Sequence, residues 1–130
     1  MPKAPLIAVV EDDWFFRDSM RSLMESLGYA VEAFSSAADF LSSPHLTETA
    51  CLIADVHMPA MTGIGLHSHL ADTGYAIPTI LITAHPNAAD RSRSLHDGVV
   101  CYLSKPVNEE RLMGCLRTAL SRAELPDENP

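Results

Sequence analysis

A regular alternation of short apolar runs with amphipathic stretches constrains the fold of this chain more than any other feature. The runs have the length of strands and lack polar alternation, which is typical of strands buried on both faces. They cover residues 6–10, 29–34, 51–54, 79–83 and 99–103. Each is followed by a stretch with helical spacing. The alternation therefore predicts an α/β domain of the (βα)5 type, a doubly wound parallel sheet with helices on both faces.

The stretches between the runs predict five helices with recognisable ends. They cover residues 14–27, a short segment from 36 onward, 65–71, 87–97 and 109–122. Gly28 stands where a C-cap is expected, residues 36–39 resemble a capping box, and Asn108 is a predicted N-cap. In the first helix the apolar residues that recur at helical spacing are Phe16, Met20, Leu23, Met24 and Leu27. The residues predicted to face inward from the last helix are Leu112, Met113, Leu116 and Leu120.

The length and charge of the chain limit what it can be. With 130 residues it fits one domain, which we predict over residues 1–122, followed by a polar, acidic linker or frayed end over 123–130. The net charge of −8 argues against direct nucleic-acid binding by this domain, although a DNA-binding domain outside the chain stays compatible with it. The apolar runs are too short for a membrane span.

The three cysteines, Cys51, Cys101 and Cys115, each lie in an apolar run without close pairing in the sequence. An odd number of such residues predicts reduced, buried thiols rather than disulfide bonds. This interpretation also predicts a cytoplasmic protein.

The polar residues that interrupt the strand pattern all follow strand ends. Glu11 and Asp12 follow the first predicted strand, Asp55 follows the third, Thr83 ends the fourth, and Lys105 lies just beyond the fifth. Because the carboxyl ends of parallel strands share one edge of the sheet, these side chains are expected to meet in one pocket, where ligands of open α/β sheets bind.

The predicted pocket has the residues needed for phosphoryl transfer. Carboxylates about 4 Å apart repel by roughly 4 kcal/mol per pair at an effective dielectric constant near 20, so these acids are expected to be either protonated or bridged by a cation. Oxygen ligands and few carboxylates favour Mg²⁺, or Mn²⁺. Asp55 is then the candidate nucleophile, Lys105 the counter-charge, and Thr83 a hydroxyl that donates to the phosphoryl group.

Four segments together resemble one known family. They are VVEDD at 9–13, ADVHMPAMTG at 54–63, ITA at 82–84 and YLSKP at 102–106. In this order and spacing, over residues 5–122, they are similar to the receiver domains of response regulators, the CheY-like superfamily, and most of all to the FixJ-type subgroup. The resemblance implies a flavodoxin-like five-stranded parallel sheet in the order 2-1-3-4-5.

The resemblance also implies roles for individual residues. Asp55 matches the phosphoacceptor, while Glu11, Asp12 and the backbone carbonyl of His57 match the other protein ligands of Mg²⁺. Thr83 and Lys105 match the groups that contact the phosphoryl oxygens. Thr83 is also a switch residue, together with Tyr102. The bond between Lys105 and Pro106 is expected to be cis.

The same resemblance implies how the domain signals. It is expected to take its phosphoryl group from a histidine kinase or a phosphotransfer protein and to catalyse only its own phosphorylation and dephosphorylation. The face formed by the fourth helix, fifth strand and fifth helix is then expected to change, and to control an output domain, a partner or a homodimer contact.

Several positions depart from the commonest pattern or allow two interpretations. His57, Ala60 and Val107 replace residues that are more frequent in the family, and His57 is expected to affect the lifetime of the phosphoryl group. Trp14 and Phe15, at the start of the first predicted helix, could either contact a kinase or pack against the rest of the domain. Asp13 is interpreted as a helix N-terminal acid rather than a metal ligand. A transition-metal site is not predicted, because the histidines are scattered: His45, His57, His67, His69, His85 and His96.

Three functions compete at this stage. The first is a phosphorylatable receiver, and the second is a binding module of the same fold that signals without phosphorylation. The third is a phosphatase of the haloacid-dehalogenase type, which needs a second Asp two positions after the nucleophile, where this chain has His57. Dinucleotide binding is excluded because no G-x-G-x-x-G follows the first strand.

Overall fold

Five parallel strands form a single sheet in the computed structural model, which describes residues 4–124. The strands are β1 (Leu6–Val10), β2 (Ala30–Phe34), β3 (Thr49–Asp55), β4 (Thr79–Thr83) and β5 (Cys101–Ser104). The helices are α1 (Trp14–Ser26), α2 (Ala37–Leu41), α3 (Gly63–Asp72), α4 (Ala88–His96) and α5 (Glu109–Glu124). The strand order β2-β1-β3-β4-β5 confirms the predicted (βα)5 fold.

The sheet separates two apolar layers, and the strands supply side chains to both. On one side Ala8, Leu52 and Leu81 pack with Phe40 of α2 and Leu66 of α3. On the other side the alternate strand residues pack against α1 and α5. This two-sided burial explains why β1, β3 and β4 are continuous apolar runs.

Side chains cap the helices at their N-termini, as the sequence predicted for α2 and α5. The Ser36 hydroxyl accepts a hydrogen bond from the Asp39 backbone N–H at 3.1 Å, and the Asn108 side chain accepts one from Arg111 at 3.0 Å. Asn87, predicted as the first residue of the fourth helix, is instead its N-cap and accepts from the Asp90 N–H at 2.9 Å. These caps satisfy backbone donors that have no partner inside the helix.

Some predicted element boundaries and one predicted inward-facing residue are wrong. β3 begins at Thr49 and includes Asp55, β5 begins only at Cys101, and a 3₁₀ turn at Leu46–Glu48 was not predicted. Met113 is 38% exposed rather than buried, because it lies at the edge of the apolar stripe of α5. Helix α5 runs two residues beyond its predicted end. The rest of the predicted tail, residues 125–130, lies outside the described residues.

The prediction of reduced thiols is wrong for two of the three cysteines. Cys101 in β5 and Cys115 in α5 form a disulfide bond, with their Cα atoms 6.1 Å apart. The sequence separation of 14 residues hides this proximity, which arises because α5 packs on the same face of the sheet as the Cys101 side chain. Cys51 is a buried free thiol as predicted, and burial raises its pKa to about 12. Among residues 4–124, no helix has both the length and the apolar character needed to cross a bilayer.

Candidate functional site

Three carboxylates meet at the edge formed by the carboxyl ends of the strands. Glu11 and Asp12 follow β1, and Asp55 ends β3, whose Ala54 is the register partner of Val10 in β1. One ligand oxygen from each of the three side chains lies within 4.8 Å of the other two. The pairing of neighbouring parallel strands therefore brings together acids that are 44 positions apart in the sequence (55 minus 11).

Lys105 joins the same cluster from the loop that follows β5. Its ammonium donates a hydrogen bond to Glu11 Oε1 at 2.8 Å and lies 3.6 Å from Asp55 Oδ1. The lysine follows β5, and its backbone N–H donates to the Thr83 carbonyl at 2.8 Å, which ties the loop to β4. The peptide bond between Lys105 and Pro106 is cis, as predicted.

The charges in this cluster perturb one another. Burial raises the pKa of Glu11 to about 7, since the Lys105 ammonium only partly offsets the loss of hydration and the Asp55 carboxylate adds repulsion. Burial also raises the pKa of Asp55, against the attraction of Lys105 and with repulsion from Asp12. Burial acts to lower the pKa of Lys105, but the two carboxylates outweigh it and the pKa is raised. The site thus holds more negative charge than one lysine balances.

Asp13 and Arg17 hold the loop that carries the first two acids. The Asp13 carboxylate accepts hydrogen bonds from the backbone N–H groups of Phe15 and Phe16, at 3.0 and 3.4 Å, and so caps α1. Arg17 Nη1 donates to the Glu11 carbonyl at 2.8 Å. The structure agrees with the interpretation of Asp13 as a helix N-terminal acid.

The loop from β3 to α3 passes very close to the backbone of Asp55. The Gly63 N–H donates to the Val56 carbonyl at 3.0 Å, and a Cβ atom on Gly63 would lie only 2.5 Å from the Asp55 backbone oxygen. Ala60 has a φ of 69°, a left-handed conformation that costs an alanine some strain. The loop is therefore tightly packed beneath the acid.

Thr83 and Tyr102 both bind the loop between β4 and α4. The Thr83 hydroxyl accepts a hydrogen bond from the His85 N–H at 2.9 Å, and the Tyr102 hydroxyl accepts one from the Asn87 N–H at 3.3 Å. Tyr102 is buried, with its ring in the core layer of α2 and α3. Both predicted switch residues thus contact one short segment.

Two histidines lie side by side at the exposed rim. The rings of His57 and His85 are edge to face with centroids 5.7 Å apart. His57 follows the candidate acceptor by two residues and is exposed, as is His85. Sequence reasoning singled out His57 but not its contact with His85, because the two lie in different loops.

The donor set fits a hard divalent cation. Glu11, Asp12 and Asp55 offer only oxygen atoms, and Asp12 is exposed, so that water can complete the coordination. Mg²⁺ binds to proteins in this way, through few carboxylates and several waters. No sulfur or imidazole belongs to this cluster among the described residues, which disfavours Zn²⁺.

Sequence reasoning missed three residues that shape the site. Phe16 places its ring 4.2 Å from the Lys105 ammonium, Arg17 binds the acidic loop, and Gly63 permits the close approach beneath Asp55. A Phe two positions inside a helix carries no signal that distinguishes this contact from core packing. Gly63 belongs to the motif at 54–63, but its steric role depends on the packing of α3 against β3.

The pKa of Glu11 leads to an expected pH dependence of stability. The pKa of Glu11 is 4.5 in the unfolded chain and about 7 in the folded protein, so folding favours the protonated carboxyl. This contribution to stability is fully present below pH 4.5 and is lost as the pH rises through 7. The loss amounts to about 3 kcal/mol. We expect metal-free wild-type protein to lose stability relative to Glu11→Gln between pH 5 and pH 8, measured by urea unfolding. Added Mg²⁺ should restore stability near pH 8 and much less near pH 5. Parallel pH profiles for the two proteins would contradict this assignment.

Comparison with known proteins agrees with this geometry. Residues 7–117 match the sequence profile of the response regulator receiver domain. The response regulator protein TodT of Pseudomonas putida is 36% identical over 121 residues, which are 93% of this chain and 53% of TodT. The transcriptional regulatory protein FixJ of Bradyrhizobium diazoefficiens is 30% identical over 118 residues, 91% of this chain and 58% of FixJ.

Solved structures give the same result. The response regulator StyR superposes with a TM-score of 0.84 at 34% identity, covering 92% of this chain and 61% of the StyR chain. The chain spans about half the length of the curated relatives that it matches.

Proposed function

Because this chain belongs to the response regulator receiver family of two-component systems, we propose that Asp55 accepts a phosphoryl group from a histidine kinase or a phosphotransfer protein. The observation that carries the proposal is the convergence of Glu11, Asp12 and Asp55 with the Lys105 ammonium at one sheet edge. An isolated Asp at a strand end would support no such chemistry.

The proposed reaction moves a phosphoryl group from a donor imidazole to a carboxylate. A carboxylate oxygen of Asp55 attacks the phosphorus, an acyl–phosphate bond forms, and the phosphorus–nitrogen bond of the donor breaks. The donor imidazole leaves with the electron pair of that bond and takes a proton. Later, water attacks the phosphorus, inorganic phosphate leaves, and the Asp55 carboxylate is restored. We propose that the domain catalyses these two steps on itself and acts on no separate substrate.

The residues around Asp55 have distinct roles in this proposal. Mg²⁺ would be held by Glu11, Asp12, Asp55 and the His57 carbonyl, and when bound it would supply positive charge to the oxygens of the transferred group. Lys105 neutralises a further phosphoryl oxygen, and its position 3.6 Å from Asp55 supports this role. His57 is exposed, packs against His85 and follows Asp55 by two residues, and we propose that its side chain affects the lifetime of the phosphoryl group.

The proposed output is a rearrangement of the face formed by α4, β5 and α5. The Thr83 hydroxyl, when it turns to donate to the phosphoryl group, gives up its contact with the His85 N–H. The loop that this contact holds also contains Asn87, whose N–H donates to Tyr102. Phosphorylation thereby changes the contacts of α4 and Tyr102 together, and the altered face controls a homodimer, a partner or an output domain. A transcriptional output is consistent with the name of FixJ.

An intact-mass assay with a small phosphodonor tests the proposal. In the presence of Mg²⁺ we expect wild-type protein to gain the mass of one phosphoryl group, and chelation of the metal to abolish the gain. Asp55→Asn should gain nothing, while Asp18→Asn, a carboxylate on the exposed side of α1, should behave as wild type. No gain on wild type, or an equal gain on Asp55→Asn, would refute phosphorylation of Asp55 and favour a binding module. Turnover of an added phosphate ester would instead indicate a phosphatase.

A further inference from the structure

We propose that Phe16 is a positioning residue that holds the Lys105 ammonium at the site through a cation–π contact. The inference rests on the proposed phosphoryl transfer to Asp55 and deepens it. The ammonium lies 4.2 Å from the centre of the Phe16 ring, within the distance at which aromatic faces attract cations. Phe16 belongs to α1, and Lys105 belongs to the loop after β5, so the contact joins two separate parts of the chain.

Among the described residues, two carboxylates and one aromatic ring approach the ammonium, and they differ in kind. Glu11 Oε1 is 2.8 Å away, Asp55 Oδ1 is 3.6 Å away, and the Phe16 ring approaches at 4.2 Å. An ammonium has three N–H donors, and one of them is used in the hydrogen bond to Glu11 Oε1. The ring is the only uncharged neighbour of the three. It attracts the ammonium without offering an anion that would compete with a phosphoryl oxygen.

The position of the ring is fixed by the start of its helix. The Phe16 N–H donates to the Asp13 carboxylate at 3.4 Å, and the next residue, Arg17, binds the Glu11 carbonyl at 2.8 Å. The ring therefore has a defined place relative to the acidic loop. It lines a groove of about 530 Å³ together with Met20, Leu23 and Lys105.

The groove explains why the lysine needs such a contact. Glu109 also lines it, so the groove carries a carboxylate that does not belong to the acidic cluster. Lys105 has a flexible side chain of four methylene groups, and only a fifth of it is exposed. Attraction to the ring acts together with the ion pairs to Glu11 and Asp55 and favours this position of the ammonium over orientations toward solvent. An aliphatic residue would fill the same volume without this attraction.

Substitutions of Phe16 distinguish the attraction between its aromatic face and the ammonium from simple apolar packing. Phe16→Leu and Phe16→Met keep an apolar side chain, whereas Phe16→Tyr keeps the aromatic face. We expect the Leu and Met variants to accept phosphoryl from a small donor about three- to tenfold more slowly at saturating Mg²⁺, and the Tyr variant to be close to wild type. Urea unfolding of each variant measures the loss of packing separately.

Nuclear magnetic resonance of the Lys105 side chain gives a readout that does not depend on phosphorylation. The ring current of Phe16 should shift the Lys105 Cε protons upfield in wild type and Phe16→Tyr, and this shift should be lost in Phe16→Leu. Addition of Lys105→Met should abolish the rate difference between Phe and Leu at position 16. Identical Lys105 signals in wild type and Phe16→Leu would overturn the positioning role, whether or not Asp55 is phosphorylated.

The kinetic outcomes also distinguish the inference from the proposed function. Equal rates for the Leu and Tyr variants, or rates that follow only the loss of stability, would overturn the role of the ring. Failure of wild type to accept phosphoryl, with the upfield shift present, would refute the proposed function and the kinetic role of Phe16, and would leave the contact itself established.

Discussion

Gly63→Ala is expected to destabilise the protein by about 3 kcal/mol, because the added Cβ atom meets backbone that has no room to yield. That atom would lie 2.5 Å from the Asp55 backbone oxygen and 3.0 Å from Leu81 Cδ2. Relief of the overlap requires α3 to move away from β3, or the end of β3 to shift. Either movement displaces Asp55, so we also expect slower phosphoryl acceptance. Urea unfolding and the mass assay measure the two effects.

Gly114→Ala is the matched control for this substitution. Gly114 lies within α5, and its added Cβ atom would meet only the Arg117 side chain, at 3.8 Å. Alanine has the higher helix propensity, so this variant should be more stable by up to about 1 kcal/mol. If both substitutions have the same effect on stability, the close approach beneath Asp55 does not constrain the residue at position 63.

Asp12→Asn is expected to weaken Mg²⁺ binding by about ten- to thirtyfold, since it removes one of three charges from the cation site. The Asp12 carboxylate is exposed and belongs to the cluster within 4.8 Å. Its loss should therefore cost affinity for the metal with little change in the stability of the metal-free protein. Trp14, the single tryptophan of the chain, lies two residues away, and its fluorescence provides a titration signal.

Asp13→Asn provides a control with the same change in net charge. The Asp13 side chain caps α1 through the N–H groups of Phe15 and Phe16, and asparagine is an equally good cap. Mg²⁺ affinity should therefore change less than about threefold, by the long-range effect of one charge. An equal loss of affinity in both variants would mean that bulk charge, rather than the geometry of the cluster, determines binding.

The fold and the position of the site followed from the sequence because both depend on local patterns. Apolar runs without alternation indicated buried parallel strands, and this alone placed Glu11, Asp55 and Lys105 at one edge. The structure brings these three together, with the ammonium between the two carboxylates. The boundaries of β3 and β5 were less accurate, because strand ends depend on pairing with neighbours that the sequence does not identify.

The contacts that sequence reasoning missed depend on how elements pack. The bond between Cys101 and Cys115 requires α5 to pack on the sheet with Cys115 facing Cys101 at the start of β5. The contact between Phe16 and Lys105 likewise depends on the rotation of α1 about its axis. Met113 was assigned to the core because its spacing fits the apolar stripe, yet the helix faces the sheet with Leu112, Cys115 and Leu116 instead.

The disulfide bond also determines how this domain can open locally. Residues 101–115 form a covalently closed ring that contains Tyr102 and Lys105. While the bond is intact, β5 and the first half of α5 cannot separate at this point, so a large opening of this part of the domain must involve both elements. Fraying of the last turns of α5 therefore leaves the lysine beside the acids. The segment that carries both the counter-charge and a switch residue behaves as one unit.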